Sequence, residues 1–179
     1  MILGGAQMNE VMKCIKERRS VKKYKAEQIK TEDLDSILEA GTYAANGKAM
    51  QAAKMVVVQD TALIQELAKM NAEVMGASGN PFYGAPTVVI VLADKNISTH
   101  IEDGSLVIGN LMLAAKSLGI GSCWIHRAKQ VFETARGKEL LRQWGVEENY
   151  IGIGNCLLGY ADGESVPVKP RKADYVIKI

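Results

Sequence analysis

The chain has 179 residues, 47% apolar and 23% charged, with a net charge of +2. It is long enough for one domain to bury most of its apolar surface, and too apolar for disorder. The charge is too small for a nucleic-acid binder, no run reaches the roughly 18 apolar residues of a membrane span, and three scattered cysteines give neither a disulfide framework nor a zinc spacing, so no metal site is expected.

Residues 1–7 lack a signal-peptide pattern and read as a disordered or appended tail, with one domain over 8–179. Reduced thiols fit a cytoplasmic protein. Asn9 can cap a first helix whose apolar face is Met8, Val11, Met12 and Ile15, ending near Arg19. Thr31 is read as the cap of a second helix, with Glu32 and Asp33 in its first turn and Leu34, Ile37, Leu38 and Gly41 buried, running to about Ala45. KMVVVQ (54–59) is a short buried strand, and Thr61 is read as the cap of a helix carrying Leu63, Leu67, Met70 and Val74.

SGNPFYGAP (78–86) breaks the pattern as a loop, and TVVIVLA (87–93) is the strongest strand signal in the chain. A helix over about 102–118 mixes small residues with Leu and Ile, as a helix packed on several sides does. GIGSCWI (119–125) is a glycine-entered strand, helical segments follow near 131–135 and 138–144, and YIGIGNCLLGY (150–160) is another strand. DYVIKI (174–179) alternates as a final strand beyond Pro167 and Pro170. Alternating helices and strands on their own suggest a doubly wound parallel sheet.

Twelve of the 22 Lys and Arg residues fall in two segments, 13–30 and 169–178. If the chain ends meet, they make a compact anion site suited to one phosphate. Within RRSVK, Arg18 and Arg19 can fork onto a phosphate, Ser20 can add a hydroxyl, and Lys22 lies on the same side of an extended chain. The plain alternative is a solvated helix end, and KPRK (169–172) has the same alternative as a basic tail. Gly119 and Gly121 could admit a flat ligand, or serve strand packing. His126 has no second ligand or acid at triad spacing, so a packing histidine competes with a catalytic one. Cys123 reads as a buried thiol, and Glu102 and Asp103 as first-turn acids.

Together RRSVKKY (18–24), ILEAGTYAANGKAMQ (37–51), FYGAPTVVIVLADK (82–95) and IEDGSLVIGNLMLAAKSLGIGSCWIHRA (101–128), closed by IGIGNCLLGY and KPRK, resemble the FMN-dependent nitroreductase family in order and spacing. The resemblance implies an α+β fold with a central, mostly antiparallel mixed sheet flanked by helices, and a homodimer that exchanges its C-terminal strand. It implies an FMN site in which Arg18, Arg19 and Ser20 meet the phosphate with Lys169 and Arg171, while Lys22 reaches the flavin pyrimidine edge. Trp124, Ile125, His126 and Arg127 would run beneath the isoalloxazine, and a backbone N–H at or near His126 would meet N5. Gln51 would contact the flavin of the partner subunit.

Lys22 and His126 are thus the residues expected at the reacting ring, His126 through its peptide rather than its imidazole. The implied activity is reduction of a small-molecule acceptor such as a nitroaromatic or quinone by NADH or NADPH, in ping-pong hydride transfer. The alternative is a non-catalytic flavin-binding or redox-sensing protein. Only DKNISTHIE (94–102) bridges the strong strand and the long helix, where longer relatives insert helices, which implies a more open substrate site.

Overall fold

A computed structural model describes residues 9–163 and 167–179. Met8 and the expected tail 1–7 lie outside the described residues. Helix α1 spans Glu10–Glu17, and Asn9 caps it by accepting the Met12 N–H. Next come α2 (Thr31–Thr42), a single 3-10 turn (Gly47–Ala49), β1 (Ala53–Val58), α3 (Thr61–Met75) and β2 (Thr87–Asp94). The chain continues through α4 (His100–Ser117), β3 (Gly121–Ile125), α5 (Ala128–Glu133), α6 (Ala135–Gln143) and β4 (Tyr150–Gly159). Two expected caps fall one residue early: Lys30 and Asp60 hold the extended cap conformation, and Asp60 accepts the Leu63 N–H. A carboxylate before the first turn both satisfies an orphan N–H and favours the positive helix end.

The sheet order is β1-β2-β4-β3, and all three pairings are antiparallel. The doubly wound parallel alternative is therefore wrong; alternation of helices and strands does not dictate strand direction, because a helix can also connect two antiparallel neighbours. The molecule is α+β, a four-stranded antiparallel sheet flanked by helices, with one parallel contact where Ser20 bridges Ser122.

β2 and β4 are central, and β2 is buried from Thr87 through Ala93, which is why it reads as an unbroken apolar run. On one face Val88, Ile90, Leu92, Cys123 and Leu157 join Ile64, Leu67 and Ala68 of α3 and Val131 and Leu140 of α5 and α6. On the other, Val89, Val91, Cys156 and Leu158 meet Ile37 of α2 and Ile108 and Leu111 of α4. Each large side chain buried this way contributes roughly 1.5–3 kcal/mol.

Two expectations about apolar faces fail within the single chain. α1 buries nothing: Val11, Met12 and Ile15 are all exposed. Residues 174–179 form no strand here, and Tyr175, Val176, Ile177 and Ile179 are exposed. A strand exists only against an edge, and this segment bonds to none on its own chain. No helix among the described residues is long and apolar enough to cross a membrane.

Candidate functional site

α1 ends by turning its chain onto the outer edge of β3. Arg18 N–H closes the helix on Cys14 O, Ser20 bridges Ser122, and Val21 N–H donates to Ser122 O at 2.9 Å. Further on, Lys25 N–H donates to Tyr160 O and Asp162 N–H to Lys23 O, so residues 20–25 line the end of the sheet. The basic motif is thereby an extended segment on a rigid support. Arg19 folds back to donate from Nη1 to Lys16 O and Arg18 O, at 2.7 and 2.6 Å. Both Arg18 Nη1 and Arg19 Nη2 are buried without a hydrogen-bond partner. Buried cationic donors left unmatched are costly, and phosphate oxygens match them.

Lys22 is exposed, its Nζ 5.8 Å from the centre of the Tyr83 ring. Ser20, Lys22 and Arg18 all lie near Cys123 on β3: burial pushes the thiol up, opposed by the nearby Ser20 hydroxyl and by the two cations. Behind it Cys156, wholly enclosed, is pushed up to about 12 by burial. Both thiols are held in the neutral form. Burial also raises Tyr24, whose buried hydroxyl has no hydrogen-bond partner.

At the other end of β3, Trp124 is partly exposed, Ile125 is buried, and His126 and Arg127 are exposed. Side chains thus alternate until Arg127, which takes φ +80° and starts α5. Two glycines of β4 permit this arrangement by close approach. A Cβ on Gly152 would lie 2.4 Å from the Ala128 carbonyl carbon, and one on Gly154 would lie 2.3 Å from Trp124 Nε1. Hence α5 and the indole both press directly on β4 backbone, and IGIGNC is a packing surface for the site rather than a ligand loop.

Asn71 Nδ2 donates to His126 O at 2.9 Å and Asn155 Nδ2 to Ile125 O at 3.4 Å. Neither asparagine stands out by motif. Asn71, however, falls on the α3 face that carries Ile64, Leu67 and Ala68, and a polar residue at that spacing is the signal that would have found it.

Gln51 lies elsewhere. It follows the turn Gly47–Ala49 and precedes β1, three strand spacings from β3, or about 14 Å. Lys48, Ala49 and Gln51 take φ of +52°, +55° and +49°. Strained positions of this sort persist only where neighbours fix them. Here Asn46 Oδ1 accepts the Gln51 N–H, and Asp103 accepts the Gly47 N–H at 2.9 Å and the Thr99 hydroxyl at 3.0 Å. Asp103 is 3% exposed, so it is a buried anchor and not merely a first-turn acid. A small recess of about 140 Å³ borders this loop at Asn46, Gln51 and Asp103.

Lys169 and Arg171 are exposed and have no hydrogen bond or ion pair among the described residues. A cavity of about 680 Å³ lies between α5, α6 and the start of β4, lined by Lys95, Phe132, Arg142 and Tyr150 among others, and none of the residues expected at the flavin lines it. Among the described residues no group of His, Cys, Asp and Glu is placed to hold a metal.

The nitroreductase family model matches residues 15–160. The chain belongs to the nitroreductase family. It is 33% identical to a Bacteroides fragilis nitroreductase crystallised with bound FMN, covering 96% of this chain and 100% of that one at a TM-score of 0.89. An FMN-bound nitroreductase from Desulfitobacterium hafniense is 29% identical, covering 97% and 100% at a TM-score of 0.86. The FMN reductase [NAD(P)H] of Bacillus subtilis is 30% identical over 187 residues, 92% of this chain and 70% of its own. The nitroreductase fold expected from the motifs is the fold observed.

Proposed function

We propose that residues 8–179 form one FMN-binding domain of an oxidoreductase that uses NADH or NADPH to reduce nitroaromatics, quinones or similar small acceptors. The observation that carries this reading is a shared edge. The unpartnered Arg18 and Arg19 nitrogens and Ser20 sit beside Ser122, and the His126 backbone lies four residues further along the same run. That separation is roughly 13 Å for extended chain, a span an extended ribityl phosphate and flavin ring can bridge. The FMN-bound relatives support the choice of ligand.

FMN, when bound, supplies hydride acceptance from a nicotinamide and donation to the acceptor in turn, which gives ping-pong kinetics. The chain supplies the rest. Arg18, Arg19 and Ser20 hold the phosphate, joined by Lys169 and Arg171. Lys22 places a cation at the pyrimidine edge, where negative charge accumulates on reduction. The His126 N–H meets N5 while Trp124, Ile125 and Arg127 support the ring. No side chain is assigned as general acid, and the His126 imidazole has no assigned role.

The reading includes a cytoplasmic homodimer with the flavin at its interface. In this reading Gln51, three strands from β3, contacts the flavin held by another copy. The uncovered α1 face and the exposed apolar tail 174–179 give such a dimer its surfaces, with the tail adding a strand to the partner.

The test is the visible absorption of the purified protein under anaerobic conditions, before and after NADH or NADPH. Flavin bands that bleach support the reductase. Flavin that does not bleach favours the non-catalytic flavin-binding or redox-sensing alternative. A protein that neither carries nor takes up FMN overturns the reading.

A further inference from the structure

The cavity between α5, α6 and the start of β4 combines an apolar lining with a charged rim. At about 680 Å³ it falls within the roughly 300–1,000 Å³ of small-molecule sites. Phe132, Leu141 and Val146, all buried, and the half-buried Ile151 supply its apolar part. Trp144 packs at 66° to the Phe132 ring with centroids 5.9 Å apart, so this ring has a fixed neighbour.

The rim charges are unequally matched. Glu147 is bound by Lys54 of β1, and Glu133 lies 4.0 Å from Lys129. Lys95 donates to the Glu148 carbonyl, which sets its charge beside the Glu148 carboxylate. His100 has Nδ1 against Ile97 O. Lys138 and Arg142 are left over. They stand one turn apart on α6, both line the cavity, and among the described residues neither side chain has a hydrogen bond or ion pair. Arg136 on the same helix, by contrast, is bound to Glu66 and Glu139.

A last-turn cation is favoured by the negative helix end, which accounts for Arg142 but not for a second cation four residues before it. Like charges at that spacing repel. An anion between them removes that cost, and a guanidinium matches the two oxygens of a carboxylate.

We propose that this cavity binds a small amphipathic carboxylate, its flat apolar body against Phe132 and Leu141 and its carboxylate between Lys138 and Arg142. None of the residues expected at the flavin lines the cavity, so the proposal stands independently of the FMN reading.

The experiment is a calorimetric titration of the full chain, as purified, with naphthalene-2-carboxylate, repeated with the uncharged 2-naphthalenemethanol. The acid is expected to bind saturably at one site and more weakly as salt rises. The alcohol binds roughly tenfold more weakly, and acid affinity falls roughly tenfold in Arg142→Gln and in Lys138→Gln, the scale of one lost charged hydrogen bond. Both side chains are exposed, so both variants are expected to fold. Any flavin the protein carries keeps its visible spectrum throughout. Absence of saturable acid binding overturns the proposal. So do equal affinity for the alcohol, binding that both variants leave unchanged, and a perturbed flavin spectrum, which places the acid on the cofactor instead.

Discussion

Lys22 and Tyr83 face one another at 5.8 Å, cation to ring centre, and Tyr83 holds φ +53° in doing so. That backbone value is uncommon for an aromatic residue. The ring comes from the loop before β2 and the ammonium from the strand-like segment after α1, so two distant parts of the chain restrict where this charge can go. If the charge serves the flavin's pyrimidine edge, Lys22→Ala slows flavin reduction by NADH or NADPH by roughly tenfold or more. FMN affinity changes less. Stopped-flow absorbance separates the two, and an unaltered reduction rate removes Lys22 from the role.

Arg18→Ala has the opposite profile. With its buried Nη1 gone, FMN dissociation increases roughly ten- to hundredfold, as for loss of a charge-assisted hydrogen bond. Reduction of the flavin that remains bound proceeds at nearly the wild-type rate. Equal flavin occupancy after dialysis of both proteins argues against a phosphate contact.

Gly154→Ala places a methyl 2.3 Å from Trp124 Nε1 and 2.8 Å from Ile108 Cδ1. Either the indole or β4 must shift, at a cost of about 1–3 kcal/mol. Urea denaturation shows the loss, and the Trp124 emission changes with it. A variant with wild-type stability and emission means that the indole is not seated on β4.

Arg136 donates to Glu66 from Nε and Nη2, at 2.6 and 3.2 Å, tying α6 to α3, and these hydrogen bonds hold Glu66 below the usual carboxylate range. A lowered folded value means the stabilisation is present above the ordinary Glu value and lost as pH falls through the folded one. The difference in Tm between wild type and Glu66→Gln is therefore steady near neutrality and shrinks below about pH 4.5. Both side chains are more than a third exposed, so the difference is small. A difference that grows on acidification contradicts the assignment.

Removing residues 167–179 deletes Lys169, Arg171 and the apolar 174–179 segment together. If the protein dimerises as proposed, light scattering shows that association weakened, and absorbance shows flavin lost. Replacing only Lys169 and Arg171 with alanine loses flavin and keeps the dimer. If truncation changes neither, the tail has no part in the site.

Much of this was legible in the sequence, and the failures share a cause. β2 was plain because Thr87 through Ala93 is buried on both faces and needs no partner pattern to be seen. The ends of α4 were placed within two residues, since Lys95–Thr99 leaves little room for error. By contrast, the apolar stripe of α1 showed that a face wants cover but not which chain supplies it, and DYVIKI showed strand character without naming an edge. In the proposed site, Arg18, Ser20, Lys22 and the 124–127 run are the positions that motif and order single out. Asn71 and Asp103 were missed because a buried polar residue matters through the distant backbone it bonds, and periodicity reports only the face it occupies.

The two edges of the sheet are not equivalent. β3 carries Ser20 and Val21 along part of its outer side, while the outer side of β1 pairs with no strand among the described residues. A ribbon that can be extended from one side only reaches its limit after a single addition, so edge-to-edge stacking into fibres is denied the second growing end it requires. The same few residues that lead the basic motif onto β3 thus also occupy the Ser122 end of that edge.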